Sequence, residues 1–489
     1  MGTSFQYEQI QLLCQLLFAN ERVTTLTSHD GMPIYLKYQN LAEIGTLPVV
    51  AQTTHQYLQL LDGDIAITND PYSGGTILSN LYLCIGVSSE QKRNRQVDLL
   101  IVKKIALKPK IVLSNNIDEE GLRIPPTPLV VNGQLNKDIL MAMSEHPLAP
   151  NGFQQAVLKG LDEIKNLHRQ FLQFNQIFDM DWSRSFIRDY FKDTQSAMMN
   201  FLGQIRSGEQ NAEVELNDGS LLKLNIEVND ERILFDFSGS DTSRSVHLTH
   251  SAALGGCTGA LIALNEKHMP INHGIFKCIE IVAPEGSMVH AKYPNPVYFG
   301  MTDGVASIAN LVLKAIGNLD KSKRFPLSGV SSCSFNLEFD QGYFFETLEP
   351  GSAASQIQNG LDGLNLWRRS ALHPSIEEVE RRFPLTIDSC SFRPNSGGDG
   401  RYTGGKGVVK TFVVKKECQF TWSISEPNEK PLGILGGKDA QNADVFLVRQ
   451  GQEKQHLAKI GHLNLRPEDK IIIQSAGGGG YGDNSEDKS

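Results

Sequence analysis

Fifteen residues set the tightest limit on what this chain can fold into: Arg393-Pro394-Asn395-Ser396-Gly397-Gly398-Asp399-Gly400-Arg401-Tyr402-Thr403-Gly404-Gly405-Lys406-Gly407, of which seven are glycine or proline. Proline gives up a backbone donor and glycine loses the most backbone entropy on ordering, so the stretch is neither a regular helix nor a central strand. It must be a shaped loop feeding the strand that begins at Val408. Backbone amides in such loops can cradle an anion, but the strand-to-helix setting of a phosphate loop is missing. Packing of closely approaching backbones is the reading that fits. Two more clusters follow, Pro431–Lys438 and Gly477–Asp483, the second after the strand Ile471-Ile472-Ile473 and anchored by Tyr481. Lys438 is followed by Asp439, so neither cluster spells a nucleotide-binding loop, and none is visible elsewhere.

Hydrophobic periodicity organises the remainder. Ile10, Leu13, Cys14 and Leu17 share one face of a short helix over residues 4–18. The rest of the first 150 residues reads as strands and long loops, with apolar runs at Leu99–Val102 and Ile111–Leu113. Val157, Leu158, Leu161, Ile164, Leu167, Phe171 and Phe174 recur at helical spacing and predict a helix over Phe153–Phe178, with a second over Trp182–Ile205. Ala212–Leu216, Leu221–Val228 and Arg232–Phe237 alternate as a meander joined by turn formers. Ser251–Ala263 and Val305–Ile316 read as small-residue helices flanking a strand at Lys277–Val282. Strands at Val408–Val414, Gln419–Ile424, Val445–Val448 and Lys470–Gln474 dominate the end. The fold class is α+β, a β-rich mixed multidomain chain. Its parts are a strand-and-loop region (1–150), a helical segment (151–210), a meander with helices (211–330), a glycine-loop β region (331–483) and a polar, disordered tail (484–489).

Lys+Arg total 46 against Asp+Glu 55, a formal net charge of −9, which argues against a nucleic-acid-binding face. No apolar stretch reaches the roughly 20 residues that cross a bilayer, and the N-terminus lacks the pattern of a signal peptide. The seven cysteines are scattered, without a C-x-x-C pair, so reduced thiols in a cytoplasmic protein are expected.

Few residues suggest chemistry. Asn69-Asp70-Pro71-Tyr72-Ser73-Gly74-Gly75-Thr76 forms a tight polar loop in which Asn69 and Asp70 either ligate a cation or cap backbone groups. His247 and His250 have a spacing that places two imidazoles on one helical face, although an accidental H-x-x-H is common among twelve histidines. The G-x-S-x-G elbow and any catalytic cysteine pattern are absent, and no nucleophile or general base stands out.

Taken in order, several motifs resemble one family, the hydantoinase B proteins, which also form the C-terminal half of 5-oxoprolinase and are related to the acetone carboxylase alpha subunit. The matching pieces are Asn69–Thr76, Glu120-Gly121-Leu122-Arg123-Ile124-Pro125-Pro126, Asp236–Ser240, Pro270–Gly274, Pro284–Ser287, Arg393–Gly407, the Gly433/Gly436-Gly437-Lys438 cluster and Gly477–Asp483. The resemblance implies ATP-dependent opening of a cyclic amide such as 5-oxoproline or a hydantoin. A hydantoinase A-type partner would hold the ATP, and the B-type chain would supply a metal-assisted hydrolytic centre. No cofactor is therefore expected in this chain, and self-association is also compatible.

The resemblance further implies a histidine and an aspartate as metal ligands after the glycine pair and threonine. Ile77 and Asn80 stand there. A third ligand, a histidine upstream of Glu120, is replaced by Lys103-Lys104-Ile105-Ala106-Leu107-Lys108-Pro109-Lys110, with no histidine between His55 and His146. Isoleucine has no lone pair and asparagine brings no charge to a divalent ion, while Lys103, Lys104 and Lys108 are expected to repel one. Asn69, Asp70, Thr76, Ile77 and Asn80 are thus expected to line a former site, with no metal bound. The leading expectation is a B-type subunit with a disabled metal centre. The alternatives are an active ATP-dependent 5-oxoproline or hydantoin hydrolase subunit, and a non-catalytic small-molecule binder or scaffold.

Overall fold

The computed structural model describes residues 2–90, 95–242, 246–368 and 374–483, with side chains from Tyr7 onward; the 484–489 tail lies outside them. Its N-terminal half is layered around a seven-stranded antiparallel sheet. The strand order is Pro33–Lys37, Thr24–Ser28, Leu99–Ala106, Asn80–Val87, Ile65–Thr68, Thr127–Val131 and Gln134–Leu135. Both faces are buried, which explains why these strands read as continuous apolar runs without clear alternation. Leu81, Leu83, Leu99 and Ile101 pack under the helices Gly2–Leu17 and Phe153–Phe178. Tyr82, Cys84, Leu100 and Val102 face the opposite core.

The helix Ala42–Leu58 covers that second face and corrects the expectation of strands and loops before residue 150. Gly45, Thr46, Pro48, Val49, Val50, Thr53 and Thr54 make a poor intrinsic helix. Tertiary contact decides instead: a Cβ on Gly45 would lie 1.8 Å from the Ser251 carbonyl, and one on Gly255 would lie 2.1 Å from the Leu41 carbonyl. The small-residue helix His250–Leu264 therefore packs backbone against backbone on this helix. Shorter helices at Lys137–Ser144 and Ile376–Arg382 were also not foreseen, and Ile111–Leu113 is not a strand.

The helices Phe153–Phe178, Arg184–Leu202 and Val305–Leu319 and the meander follow their apolar periodicity closely. The meander gains a fourth, parallel strand, Ile279–Val282, beside Ile233–Asp236. Beyond residue 330, a four-stranded and a five-stranded sheet enclose an aromatic core, with Phe335 and Phe412 rings 5.1 Å apart. One fully buried ion pair, Lys410 to Glu346 at 2.6 and 2.9 Å, joins the two sheets.

The glycine clusters come together against this β region. Gly398 N donates to Gly478 O, Gly478 N to Gly405 O, and Gly480 N to Lys438 O, at 2.9–3.0 Å. Tyr402 and Tyr481 exchange both backbone hydrogen bonds. A Cβ on Gly404 would sit 1.7 Å from Gly478 O. The loops form a lattice of backbones with no room for side chains.

Gly404→Ala is therefore expected to destabilise the protein severely, by roughly 3 kcal/mol or more, because carbonyls of neighbouring loops would have to part. Gly203→Ala, where the added carbon meets nothing closer than 3.5 Å and φ is −62°, should stay within roughly 0.5 kcal/mol of wild type. Denaturant unfolding of the two variants checks the contrast; equal effects would refute it.

Candidate functional site

The loop Asn69–Thr76 connects the strands Ile65–Thr68 and Asn80–Val87 at one end of the large sheet. Asn69 is buried and fully used. Its amide donates to Leu78 O and Leu122 O at 2.8 Å each, and its oxygen accepts Ile124 N at 2.6 Å. It thereby staples this loop to the Glu120–Pro126 motif. Asp70 caps the single turn Pro71–Ser73, accepting Tyr72 N at 3.2 Å and Ser73 Oγ at 2.9 Å, and faces Arg123 at 3.6 Å. Both residues bond backbone groups in this loop. Gly74 takes a φ of +100° at the end of the turn, where a Cβ would strike Val50 N.

Thr76 and Ile77 lie just before the strand that Asn80 opens. Asn80 Nδ2 donates to Thr76 Oγ1 at 2.8 Å, and Thr76 Oγ1 meets the Tyr82 hydroxyl at 2.7 Å. Ile77 packs onto the second core. Tyr82 pairs across the ladder with Lys104, whose ammonium contacts the Glu43 carboxylate. Glu43 is buried, and its other oxygen accepts Gln39 N and Asn40 N ahead of the helix Ala42–Leu58. Burial and the Glu43 charge push the Tyr82 phenol up.

The expected repulsion by lysines needs correction. Strand alternation sends Lys103 to the opposite face of the sheet, where it pairs with Glu21 and Glu163. Lys104 is neutralised by Glu43. Lys108 and Lys110 lie beyond the strand, across the hairpin Ser334–Glu346. Lys108 Nζ donates to Tyr343 O, Tyr343 Oη donates to Lys108 O at 3.0 Å, Lys110 pairs with Glu338 at 2.8 Å, and Ile111 N donates to Asn336 Oδ1 at 2.9 Å. The segment is a strap joining the N-terminal sheet to the C-terminal sheets.

His247 and His250 do not share a helical face: the helix begins at His250, and Thr249 caps it. Among the described residues, no group of three or more His, Cys, Asp or Glu side chains is placed to hold a metal ion.

A cavity of about 630 Å3 opens beside this loop, bordered by Asn69, Ser79, Lys108, Glu120, Tyr298 and Tyr343. Glu120, quoted in the sequence only as part of a motif, is its most unusual member. One carboxyl oxygen accepts Ser114 Oγ and Tyr298 N at 3.2 Å each; the other is buried without a partner among the described residues. Burial pushes this carboxyl up to about 7. The acid's place in the Glu-Gly-Leu-Arg motif was the one available signal; its cavity depends on the C-terminal sheets and was not legible.

This fold and loop set define a B-type protein: the chain belongs to the hydantoinase B/oxoprolinase family, whose profile matches residues 19–484. It is similar to an uncharacterized protein of Methanocaldococcus jannaschii, 26% identical over 97% of this chain and 85% of that one. It is also similar to the 5-oxoprolinase of Dictyostelium discoideum, 23% identical over 86% of this chain, but the match spans only 34% of that longer protein. The fold matches the ATP-dependent caprolactamase of Pseudomonas jessenii with a TM-score of 0.83, covering 98% of this chain and 89% of that one at 19% identity. No helix among the described residues is long and apolar enough to cross a membrane.

Glu120 yields a pH prediction. An acid whose pKa rises on folding costs stability above its unfolded range, because the unfolded state loses its proton first. The cost is absent below pH 4.5, grows with pH and is complete above about 7. Glu120→Gln, neutral throughout, should gain on wild type across that interval by on the order of 2 kcal/mol. Unfolding midpoints measured on both sides of the interval check it; a gap independent of pH would count against the buried acid.

Proposed function

We propose that this chain is a B-type subunit whose metal-dependent hydrolytic centre is disabled, acting as a structural or regulatory partner of an A-type subunit that alone holds ATP. The carrying observation is the chemistry at the expected ligand positions. Ile77 is partly buried against the core, Asn80 donates to Thr76, and the Lys104–Glu43 pair occupies the adjacent strand and helix. These residues do not fit a divalent ion. An ammonium already supplies positive charge where Glu43 would otherwise be an uncompensated buried carboxylate. The absence of a phosphate loop supports placing ATP on the partner, and seven free cysteines, six of them buried, support a cytoplasmic setting.

Metal analysis of the purified chain tests this reading, with substoichiometric metal expected and no loss of thermal stability in chelator, since nothing bound to the native state is removed. One tightly held transition metal per chain would overturn it. Combining Ile77→His, Asn80→Asp and Lys104→His should create a zinc- or manganese-dependent rise in Tm. The first two changes without the third should not, because the Lys104 ammonium, held by Glu43, has no lone pair to offer as a third ligand.

A further inference from the structure

The strand Leu385–Phe392 is the outer strand of the five-stranded sheet and pairs on one side only, with Val408–Val414. Its first half is closed off, since Ile387 N donates to Glu380 Oε1 of the helix Ile376–Arg382. Its second half, Ser389–Phe392, is exposed at every residue. Arg393 N donates to Gly407 O at 2.7 Å, and that bond fixes the alternation of the ladder. Ser389 and Ser391 turn their backbone groups inward to Thr411 and Val409. Cys390 and Phe392 turn theirs outward, where no hydrogen-bond partner stands among the described residues. Neither lysine nor proline, the usual guards of an edge, interrupts the stretch.

Beside this edge lies a segment with its polarity inverted. Asn359 Oδ1 accepts Thr403 N at 2.9 Å, Asp362 Oδ1 accepts Lys406 N at 2.7 Å, and the buried Asn365 donates to Ser332 Oγ at 3.2 Å. With the polar side chains turned in, Leu361, Leu364 and Leu366 are left 55%, 38% and 41% exposed. Phe392, itself exposed, borders the same segment: a Cβ on Gly363 would lie 3.2 Å from its ring. Apolar side chains held outward by a fixed backbone mark a contact surface. The surface also holds one unmatched charge of each sign. The Lys406 ammonium has no carboxylate partner, and the second oxygen of Asp362 has no donor, among the described residues.

We propose that Ser389–Phe392 pairs antiparallel with its own copy across a two-fold axis at Ser391, making the protein a dimer in solution. That register sets Cys390 of each copy opposite Phe392 of the other. The outward N–H and C=O groups of both residues then satisfy one another, with none left over. The occupant follows from this self-complementarity and from the charges. A two-fold interface joins unlike residues reciprocally, so a surface with one free cation and one free anion can satisfy both against its own copy. A partner surface of a single sign would satisfy only one. The two-fold also consumes the open edge, so pairing stops at two chains. The pairing is independent of the metal centre.

Sedimentation velocity and cysteine cross-linking on the whole chain test the assignment. Wild type should sediment as a dimer at micromolar concentration. Leu361→Asp combined with Leu364→Asp should raise the dimer Kd at least tenfold. Ile177→Asp, which changes an exposed residue on the helix Phe153–Phe178 of the N-terminal half, should change it less than threefold. Unfolding midpoints of the leucine variants separate a lost dimer from a lost fold. In a Cys390→Ser background, Ser391→Cys should form an intermolecular disulfide on mild oxidation, because Cα atoms facing each other in a non-hydrogen-bonded pair lie about 4.5 Å apart. Lys416→Cys in the same background, exposed on another turn of the β region, should not. A wild type that stays monomeric at high micromolar concentration would overturn the proposal and hand this face to a different occupant. A dimer indifferent to the leucine variants, or one without the Ser391→Cys cross-link, would overturn it as well.

Discussion

Close approach of one backbone to another, with hydrogen atoms where side chains would begin, is the constraint on which the architecture depends. It operates twice. In the N-terminal half it lets the helix Ala42–Leu58 lie directly on His250–Leu264, which closes one face of the large sheet. In the C-terminal half it lets four loop segments share one network of peptide hydrogen bonds around Gly404 and Gly478. Neither arrangement relies on burying large apolar side chains at the contact. Both rely on the absence of any side chain, so tolerance to substitution is lowest where the residues are smallest.

The second organising feature is the segment from Lys103 to Ile111. Where the family resemblance implies a metal ligand, this chain has four lysines whose charges go to three destinations: Glu21 with Glu163, Glu43, and the Ser334–Glu346 hairpin. The stretch is a mechanical link between the N-terminal and C-terminal sheets. Buried pairs such as Lys104–Glu43 add little net stability against apolar alternatives, but breaking one partner leaves a stranded charge. The link therefore fixes geometry more than it adds free energy.

Legibility in the sequence followed periodicity. Phe153–Phe178 and Lys470–Gln474 were readable to the residue because each buries one face at its own repeat, and Val408–Val414, buried on both faces, through its β-branched residues. Ala42–Leu58 was not, since glycine, proline and threonine hide a helix that exists only through its neighbour. The loop of Asn69 and Asp70 was located correctly, but its saturation by Leu78, Leu122 and Ile124 is long-range information. The direction of each lysine could not be read without the register of the strand Leu99–Ala106, which a one-residue slip would reverse. Glu120 was visible as a letter in a motif; its orphaned oxygen was not.

The glycine lattice also orders events in time. Gly477–Gly482 is bonded to loops drawn from residues 354, 398, 405 and 438, all made earlier during translation. Until that glycine ribbon is made, Ala354 N, Gly398 N and Gly405 O lack the partners it supplies, so the lattice cannot close before the chain reaches it. The C-terminal sheets are thus assembled like an arch, standing free only once the keystone has been set.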